Sequence, residues 1–119
     1  KILSVIVGPE IISGSTRMKA GSATKFILNM ITTVSMIKIN KTYKNLMVDL
    51  KVTNKKLLAR GVRIISDITS LNYDDALKVL KESKYNVKIA VVMVILDISY
   101  EEAKNKVAVN NGNLANSIK

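Results

Sequence analysis

The sequence predicts a short α/β segment followed by a small all-α bundle, so the chain is expected to be mostly helical. Three observations predict this order: an apolar run at the start, a long apolar segment with helical spacing after it, and a last third that repeats itself at an offset of 27 residues. We expect the boundary between residues 52 and 53, which gives domains 1–52 and 53–119.

The first predicted elements are a strand, a loop and a helix. "ILSVIV" (residues 2–7) is nearly continuous in apolar residues and ends at Gly8-Pro9, as does a strand buried on both faces of an α/β sheet. From about residue 18 to residue 39, apolar residues recur at helical spacing, and their wide stripe predicts a mostly buried helix. Units of this kind bind ligands at the carboxyl end of the strand, which here is the loop of residues 8–19.

A connector and a second helix follow. Residues 40–54 contain the insert "LMVDL", which fits either a strand or a helical turn. Thr53 is the expected N-cap of the next helix. One face of that helix is marked by apolar residues, namely Leu57, Leu58, Val62, Ile65 and Ile68. Gly61 is expected to weaken its middle by about 1 kcal/mol relative to alanine.

The last third contains an internal repeat, in which "NYDDALKVLKESKYNV" (residues 72–87) matches "SYEEAKNKVAVNNGNL" (residues 99–114). Each copy begins with a cap residue and two acids, which suits a helix N-terminus, and Ser99 with Glu102 fits a capping box. Asn86 and Asn113 stand where asparagine tolerates the left-handed turn that closes a helix. With the apolar segment "VKIAVVMVIL" between the copies, the pattern predicts a compact bundle of three or four short helices.

The composition excludes several kinds of chemistry. The chain has no cysteine and no histidine, so disulfides, thiolate metal sites and Ser–His or Cys–His nucleophiles are ruled out. No apolar run reaches the roughly 18 residues of a membrane-spanning helix, and the first residues lack the features of a signal peptide. We expect a piece of a longer cytoplasmic protein, with no membrane partner, no metal and no cofactor.

The net charge of +10 is unevenly distributed along the chain. Residues 1–60 hold eleven Lys and Arg against two acids, whereas residues 61–119 hold eight against seven. The basic half contains the loop of residues 8–19, so an anionic ligand is expected there.

That loop has the composition of an anion site. The N–H groups at the start of the following helix are flanked by hydroxyl-bearing and basic side chains, namely Ser15, Thr16, Arg17 and Lys19. Gly14 and Gly21 allow close approach of the backbone. In the alternative interpretation, Ser15 or Thr16 only caps the helix and Lys19 is solvated. That alternative explains Arg17 and the two glycines less well.

The segment "GPEIISGSTRMKAGSATKFILNM" (residues 8–30) closely resembles the signature of the N-acetylmuramic acid 6-phosphate etherases, which related glucokinase regulatory proteins also have. It is more distantly similar to a loop of other sugar isomerase (SIS) domains. The resemblance continues through "KTYKNLMVDLKVTNKKLLARGVRII" into the tail. It implies that the chain holds the last strand, ligand loop and last helix of an α/β SIS sugar-phosphate domain, then a bundle similar to ubiquitin-associated (UBA) domains.

The resemblance also implies a reaction. In the etherases, the lactyl ether at C3 of N-acetylmuramic acid 6-phosphate is cleaved to N-acetylglucosamine 6-phosphate and lactate. A carboxylate takes the C2 proton, lactate leaves, and water adds to the unsaturated sugar. The two catalytic carboxylates of the family precede the signature, so no residue of this chain is expected to be catalytic, and the chain alone is expected to be inactive. The implied partners are an amino sugar 6-phosphate and a second copy in a homodimer, without nucleic acid.

The site residues follow from the same resemblance. Ser15, Thr16 and Lys19 are expected to contact the sugar phosphate or to shape its cleft. Glu10 either contacts sugar hydroxyls or braces the loop by accepting backbone N–H groups. The loop itself is expected to be shaped by Gly14, Arg17 and Gly21.

Two positions depart from the family pattern. Ser22 stands where the family often has threonine, and Lys44 stands where it often has glycine. The second departure bears on the turn geometry of the connector.

Three other functions fit parts of the sequence. A catalytically silent sugar-phosphate sensor would share the loop. A basic nucleic-acid-binding module would suit the charge, but the chain has only four Tyr and one Phe, too few for an aromatic platform. Peptide binding would suit Tyr73 and Tyr100, although packing between the two copies is the favoured role of both tyrosines.

Overall fold

The computed structural model describes residues 2–119, and within them the chain forms six helices and one two-stranded sheet. The contacts divide the chain into two units, one ending at Lys38 and the other running from Ile39 to Lys119. The elements in chain order are α1 (Lys19–Lys38), β1 (Thr42–Tyr43), β2 (Leu46–Met47), α2 (Lys55–Thr69), α3 (Tyr73–Glu82), α4 (Val87–Leu96), α5 (Tyr100–Val109) and α6 (Leu114–Ser117). None of the helices within residues 2–119 is both long and apolar enough to cross a membrane.

The first unit differs from the prediction in two respects. Residues 2–7 form no strand, because residues 2–38 contain no second strand to pair with their N–H and C=O groups. Helix α1 confirms the predicted helix, but the prediction that it is mostly buried is wrong for this chain. None of its residues is buried, and Phe26 is 65% exposed. Residues 2–38 hold no other helix or strand to cover its apolar stripe.

The connector is a β-hairpin that packs on the helices of the second unit. Strands β1 and β2 are antiparallel, with Thr42 opposite Met47 and Tyr43 opposite Leu46. Val48, directly after β2, is 1% exposed, and Leu50 packs against the same core. The boundary predicted between residues 52 and 53 therefore lies inside the second unit.

The hairpin turn explains why glycine would suit position 44. Lys44 has a φ of +52°, the left-handed region that costs a non-glycine residue roughly 1–2 kcal/mol. Its ammonium lies 5.5 Å from the centroid of the Tyr43 ring. This contact offsets about half of the backbone cost at most, because exposed cation–π contacts contribute about 0.5–1 kcal/mol.

We therefore predict that Lys44→Gly stabilises the chain. Relief of the left-handed strain outweighs the extra entropy of glycine in the unfolded chain and the loss of the contact with Tyr43, which leaves a net gain of about 0.5 kcal/mol. Thermal unfolding followed by circular dichroism should show a Tm about 2–4 °C higher. The matched control is Lys51→Gly, in an exposed part of the connector without a positive φ, which should lower Tm. A Lys44→Gly variant that is no more stable than the parent would contradict this account of the turn.

The N-cap of helix α2 lies one residue later in the chain than predicted. Asn54, not Thr53, is the N-cap, and its side-chain oxygen accepts the N–H of Leu57 at 2.9 Å. Thr53 and Asn54 are both good cap residues, so composition alone did not separate them. The predicted apolar face is confirmed, with Val62 and Ile65 fully buried.

Gly61 lies where α2 contacts its neighbours. A Cβ added at Gly61 would lie 3.2 Å from Leu80 Cδ2 and 3.4 Å from Val87 Cγ2. The glycine therefore allows α2 to approach α3 and α4 closely. The sequence indicated only its cost to the helix, not this packing role.

The repeat is confirmed as two helix starts, but its ends were misassigned. Asn72 caps α3, and Ser99 caps α5 through a capping box with Glu102. Asn86 and Asn113 do not close helices. They have negative φ values and are the N-caps of α4 and α6. The left-handed positions lie just before them and are occupied by Lys84, Tyr85, Asn111 and Gly112.

Helix α4 is central to the second unit, as predicted for a buried helix. Six of its ten residues are buried, and α2, α3, α5 and α6 all pack against it. The last third has four helices, α3 to α6, which agrees with the three or four short helices predicted there, and α2 precedes them. Its core consists of Val48, Val62, Ile64, Ile65, Ala76, Leu80, Val87, Ile89, Ala90, Val91, Val92, Ala103 and Leu114.

Candidate functional site

The loop of residues 8–19 contains two left-handed glycines and a tight turn. Gly8 has a φ of +69° and Gly14 a φ of +82°, values that favour glycine. The N–H of Ser15 donates to the carbonyl of Ile12 at 3.1 Å, and the N–H of Gly21 donates to the carbonyl of Thr16 at 2.9 Å. The loop thus folds back on itself immediately before α1.

Glu10 braces this loop against the start of α1. Its two carboxylate oxygens accept the N–H of Lys19 at 2.9 Å and the N–H of Ala20 at 3.0 Å. The N–H groups of Ala20 and Lys19 hold the pKa of Glu10 below its ordinary value. Of the two roles that the sequence allowed for Glu10, these bonds are the bracing one, and contact with sugar hydroxyls stays a prediction.

The same bonds revise the expected anion site. Two of the N–H groups at the start of α1 already donate to Glu10, so they do not face an open anion position. Neither Ser15 nor Thr16 takes the capping role, since the acceptor is the Glu10 carboxylate. An anion at this loop would therefore be bound by side chains rather than by these two N–H groups.

The remaining predicted residues are only partly brought together. Lys19 is exposed, and its ammonium donates to the carbonyl of Pro9 at 3.0 Å. Thr16 and Gly21 line a shallow depression along α1 with Lys25. Ser15 is half-buried in the turn, and Arg17 is exposed. Lys19 therefore stabilises the loop through its bond to Pro9, while Thr16 and Gly21 contribute to a separate concave surface along α1.

A second polar cluster, which the sequence analysis missed, lies within the unit from Ile39 to Lys119. The ammonium of Lys88, whose side chain is 7% exposed, donates to the carbonyl of Asn40 at 2.8 Å and lies 3.3 Å from Asp49 Oδ1. Asp49 also pairs with Lys41. The Asn40 side chain in turn bonds to Asn111 and Asn113. The one signal in the sequence was a lysine inside the apolar segment "VKIAVVMVIL".

This cluster fastens the hairpin to α4 and to the turn before α6. Burial alone would raise the pKa of Asp49, but the hydrogen bonds and charges of Lys41 and Lys88 outweigh it and hold this pKa below its ordinary value. All buried side-chain N and O atoms of the described residues have partners, so Lys88 is a satisfied structural lysine.

Comparison with known proteins first defines the class. Residues 44–107, more than half of the chain, match the family described as the C-terminal lid domain of glucokinase regulatory protein. The chain therefore belongs to this family. The match begins in the turn of the hairpin and ends in α5.

The chain is also similar over nearly its whole length to named enzymes. It is 44% identical over 117 residues to N-acetylmuramic acid 6-phosphate etherase of Staphylococcus epidermidis, covering 98% of this chain and 40% of that protein. It is 48% identical over 112 residues to the etherase of Staphylococcus aureus strain USA300, covering 94% and 37%. The chain thus spans about two fifths of the length of these relatives. The resemblance inferred from the loop signature is confirmed.

Proposed function

We propose that this chain is the C-terminal part of an etherase that cleaves the lactyl ether of N-acetylmuramic acid 6-phosphate to N-acetylglucosamine 6-phosphate and lactate. The observation that supports this most strongly is identity of 44% along 98% of the chain, which includes the loop of residues 8–19. The family match to a lid domain supports a covering role for residues 44–107.

In this proposal the loop binds the phosphate-bearing end of the sugar. Ser15, Thr16 and Lys19 supply hydroxyl and ammonium donors suited to phosphate oxygens. Lys19 would exchange its contact with the Pro9 carbonyl for the ligand. Gly14, Arg17 and Gly21 shape the loop, and Glu10 holds it against α1.

The catalytic groups would lie in the rest of a longer protein. The elimination needs one group to take the C2 proton and another to assist the leaving oxygen. Glu10 is occupied by two backbone N–H groups. Four further acids lie in the first turns of α3 and α5, where they suit the helix dipole, namely Asp74, Asp75, Glu101 and Glu102. We therefore expect this chain alone to be inactive.

The test is lactate release from N-acetylmuramic acid 6-phosphate by the full-length protein. An etherase releases lactate and N-acetylglucosamine 6-phosphate in equal amounts. The second candidate, a sugar-phosphate-binding regulator, is favoured by the family match to a regulatory protein, and it would bind the sugar phosphate without releasing lactate. Protein that neither binds nor cleaves this sugar would overturn both candidates.

For the loop we predict that Lys19→Ala in the full-length protein weakens sugar-phosphate binding about tenfold or more. A charge-assisted bond to phosphate contributes roughly 1.5–3 kcal/mol, and each 1.4 kcal/mol is a factor of ten in affinity. Calorimetric titration with N-acetylglucosamine 6-phosphate measures the loss. Lys38→Ala, in the last turn of the same helix and equally charged, is the matched control and should bind normally. An unchanged affinity for Lys19→Ala would remove this residue from the site.

Further parts of the proposal concern organisation and partners. We propose that the first unit, up to Lys38, completes a SIS sugar-phosphate domain, that the helices within residues 53–119 form a UBA-like bundle, and that the protein is a cytoplasmic homodimer. We do not expect it to recognise nucleic acid, because the bundle from residue 61 onward is nearly neutral. Tight, sequence-selective binding to duplex DNA at physiological salt would contradict that expectation.

A further inference from the structure

Helix α2 displays an unusual row of positive charge, formed by Lys56, Arg60 and Arg63. These residues follow one another at intervals of four and three, which places them on one face of the helix. All three are exposed. The chain uses lysine for nearly all of its positive charge and has only three arginines, of which two lie one turn apart in this row.

Little of this charge is neutralised within residues 2–119. No ion pair there joins Lys56 or Arg60 to an acid. The pair at Arg63 spans 3.9 Å from Nε to Asp67 Oδ2, and the Arg63 side chain is 83% exposed, so this pair is weak. Like charges one turn apart destabilise a helix. The row therefore does not serve the stability of α2, and an anionic partner outside the chain would explain it.

Arg60 and Arg63 also line a groove between the hairpin and α2, which lies entirely within the second unit. Its other lining residues are Asn45, Leu46, Met47, Ile64 and Asp67. Leu46 and Met47 are half-buried and Ile64 is buried, so an apolar floor lies beside the two guanidinium groups. Arginine matches the two oxygens of a carboxylate with parallel N–H groups. The groove therefore suits a ligand that combines carboxylates with apolar groups.

The strand beside this groove has an open edge. The sheet has only two strands, and Met47 of β2 lies opposite Thr42 of β1. In the next pair along, the N–H of Val48 donates to the carbonyl of Lys41 at 3.1 Å. Hydrogen-bonded and non-hydrogen-bonded pairs alternate in an antiparallel ladder, so the N–H and C=O of Met47 point away from β1. Main-chain groups of this kind can pair with an added extended segment.

We propose that the groove between β2 and α2 binds an extended, acidic peptide segment of a partner protein, in which acidic and apolar residues alternate. Side chains two residues apart in such a segment lie roughly 6.5 Å apart on one side. This is close to the ~5–6 Å between Cβ atoms one helical turn apart. Two carboxylates with this spacing can reach Arg60 and Arg63 together, and a third can reach Lys56. The residues between them face the other side, where Leu46 and Met47 supply apolar contacts. The inference requires only the second unit, whatever reaction the whole protein carries out.

The probe for this site is a fluorescently labelled peptide, Glu-Val-Glu-Val-Glu, with its termini blocked. Titration with the full-length protein at physiological salt, followed by fluorescence polarisation, should show binding. Arg60→Gln and Arg63→Gln should each weaken it about tenfold, since each removes a charge-assisted bond. Arg60→Lys should recover less than half of the loss on a logarithmic scale, because the charge is kept but the fork is lost. The matched control is Lys78→Gln, at an exposed position of α3, which should change binding by less than about twofold because salt screens distant charges.

Two further peptides test the ligand side without altering the protein, so their results do not depend on how well a variant folds. Gln-Val-Gln-Val-Gln removes the charge, and Glu-Glu-Glu-Val-Val keeps the composition but breaks the alternation. Both should bind about tenfold more weakly than the alternating peptide, because each loses at least one charge-assisted bond. If Glu-Glu-Glu-Val-Val binds equally well, the surface attracts acids in general and the proposed recognition is wrong.

Other occupants of the groove would give different results. If a single-stranded oligonucleotide binds more tightly than the peptide and displaces it at physiological salt, the row binds phosphates and the proposal is overturned. If sedimentation equilibrium shows that Arg60→Gln and Arg63→Gln dissociate a dimer, the occupant is a second copy of the chain, which also overturns it. An alternating peptide that does not bind at all overturns the proposal outright.

Discussion

Replacing Leu80 by alanine is expected to lower the free energy of unfolding of the chain by about 3 kcal/mol. Leu80 is fully buried on α3, where it meets α2 at Gly61. Removal of its side chain beyond Cβ leaves a cavity that the helix backbones cannot collapse to fill. Urea denaturation followed by circular dichroism measures the loss as a lower midpoint with an unchanged slope.

Gly61 makes this prediction specific to the α2–α3 contact. In the parent chain, Gly61→Ala gains about 1 kcal/mol of helix propensity, but its methyl meets Leu80 Cδ2 at 3.2 Å, so the two effects nearly cancel. In the Leu80→Ala background the methyl has space, and the full gain in propensity should appear. The double-mutant cycle should therefore show a coupling of about 0.5 kcal/mol or more.

The cycle also contains its own refutation. If Gly61→Ala changes stability by the same amount in both backgrounds, close contact with Leu80 is not the reason that glycine is required at position 61. Ala59→Gly, at an exposed position of the same helix, controls for helix propensity and should cost about 1 kcal/mol in either background.

Much of the helical unit could be predicted because its signals are local. The caps at Asn72 and Ser99 depend on residues within one turn, so the repeat alone located two helix starts. Asn86 and Asn113 were misassigned because asparagine suits both a left-handed closing turn and an N-cap. Only the backbone shows that Lys84 and Tyr85 take the left-handed positions.

Features that depend on distant partners could not be predicted. The strand expected at residues 2–7 needs a neighbouring strand, and the described residues of the first unit contain none. Gly61 was noted only for its cost to the helix, because Leu80 and Val87 lie on other helices. In the site, the loop glycines followed from composition, but the bonds from Lys19 and Ala20 to Glu10 depend on how the loop turns. Those bonds give Glu10 a bracing contact that the sequence offered only as one of two roles.

The ion cluster at the hairpin could not be predicted from the sequence either. Lys88 lies on α4 and Asp49 follows β2, so neither residue indicates the other in the sequence. In the sequence, Lys88 is only a lysine within an apolar helix. In the structure, the hairpin places Asp49 and the Asn40 carbonyl next to its ammonium. Its buried position then makes the stability of the second unit depend on one carboxylate.

We predict that Asp49→Ala lowers the free energy of unfolding by about 2 kcal/mol at neutral pH. Stranding one charge of a buried pair costs roughly 3–5 kcal/mol, and the value is reduced here because the Asp49 side chain is 32% exposed. Lys88→Met is the matched control and should cost about 1 kcal/mol or less, since a methionine fills the same space and Asp49 keeps Lys41 as its partner. Equal losses in the two variants would contradict the idea that the stranded lysine dominates.

The pH dependence of this difference gives an independent check. The pKa of Asp49 is lower in the folded chain than its ordinary value, so the folded state binds the proton less well than the unfolded state. The stabilisation is therefore complete above the unfolded pKa of about 3.9 and is lost as pH falls through the lower folded pKa. Urea denaturation at pH 7 and near pH 2.5 should show the gap between the parent chain and Asp49→Ala narrowing in acid. A gap that stays constant would mean that Asp49 acts through packing rather than through its charge on Lys88.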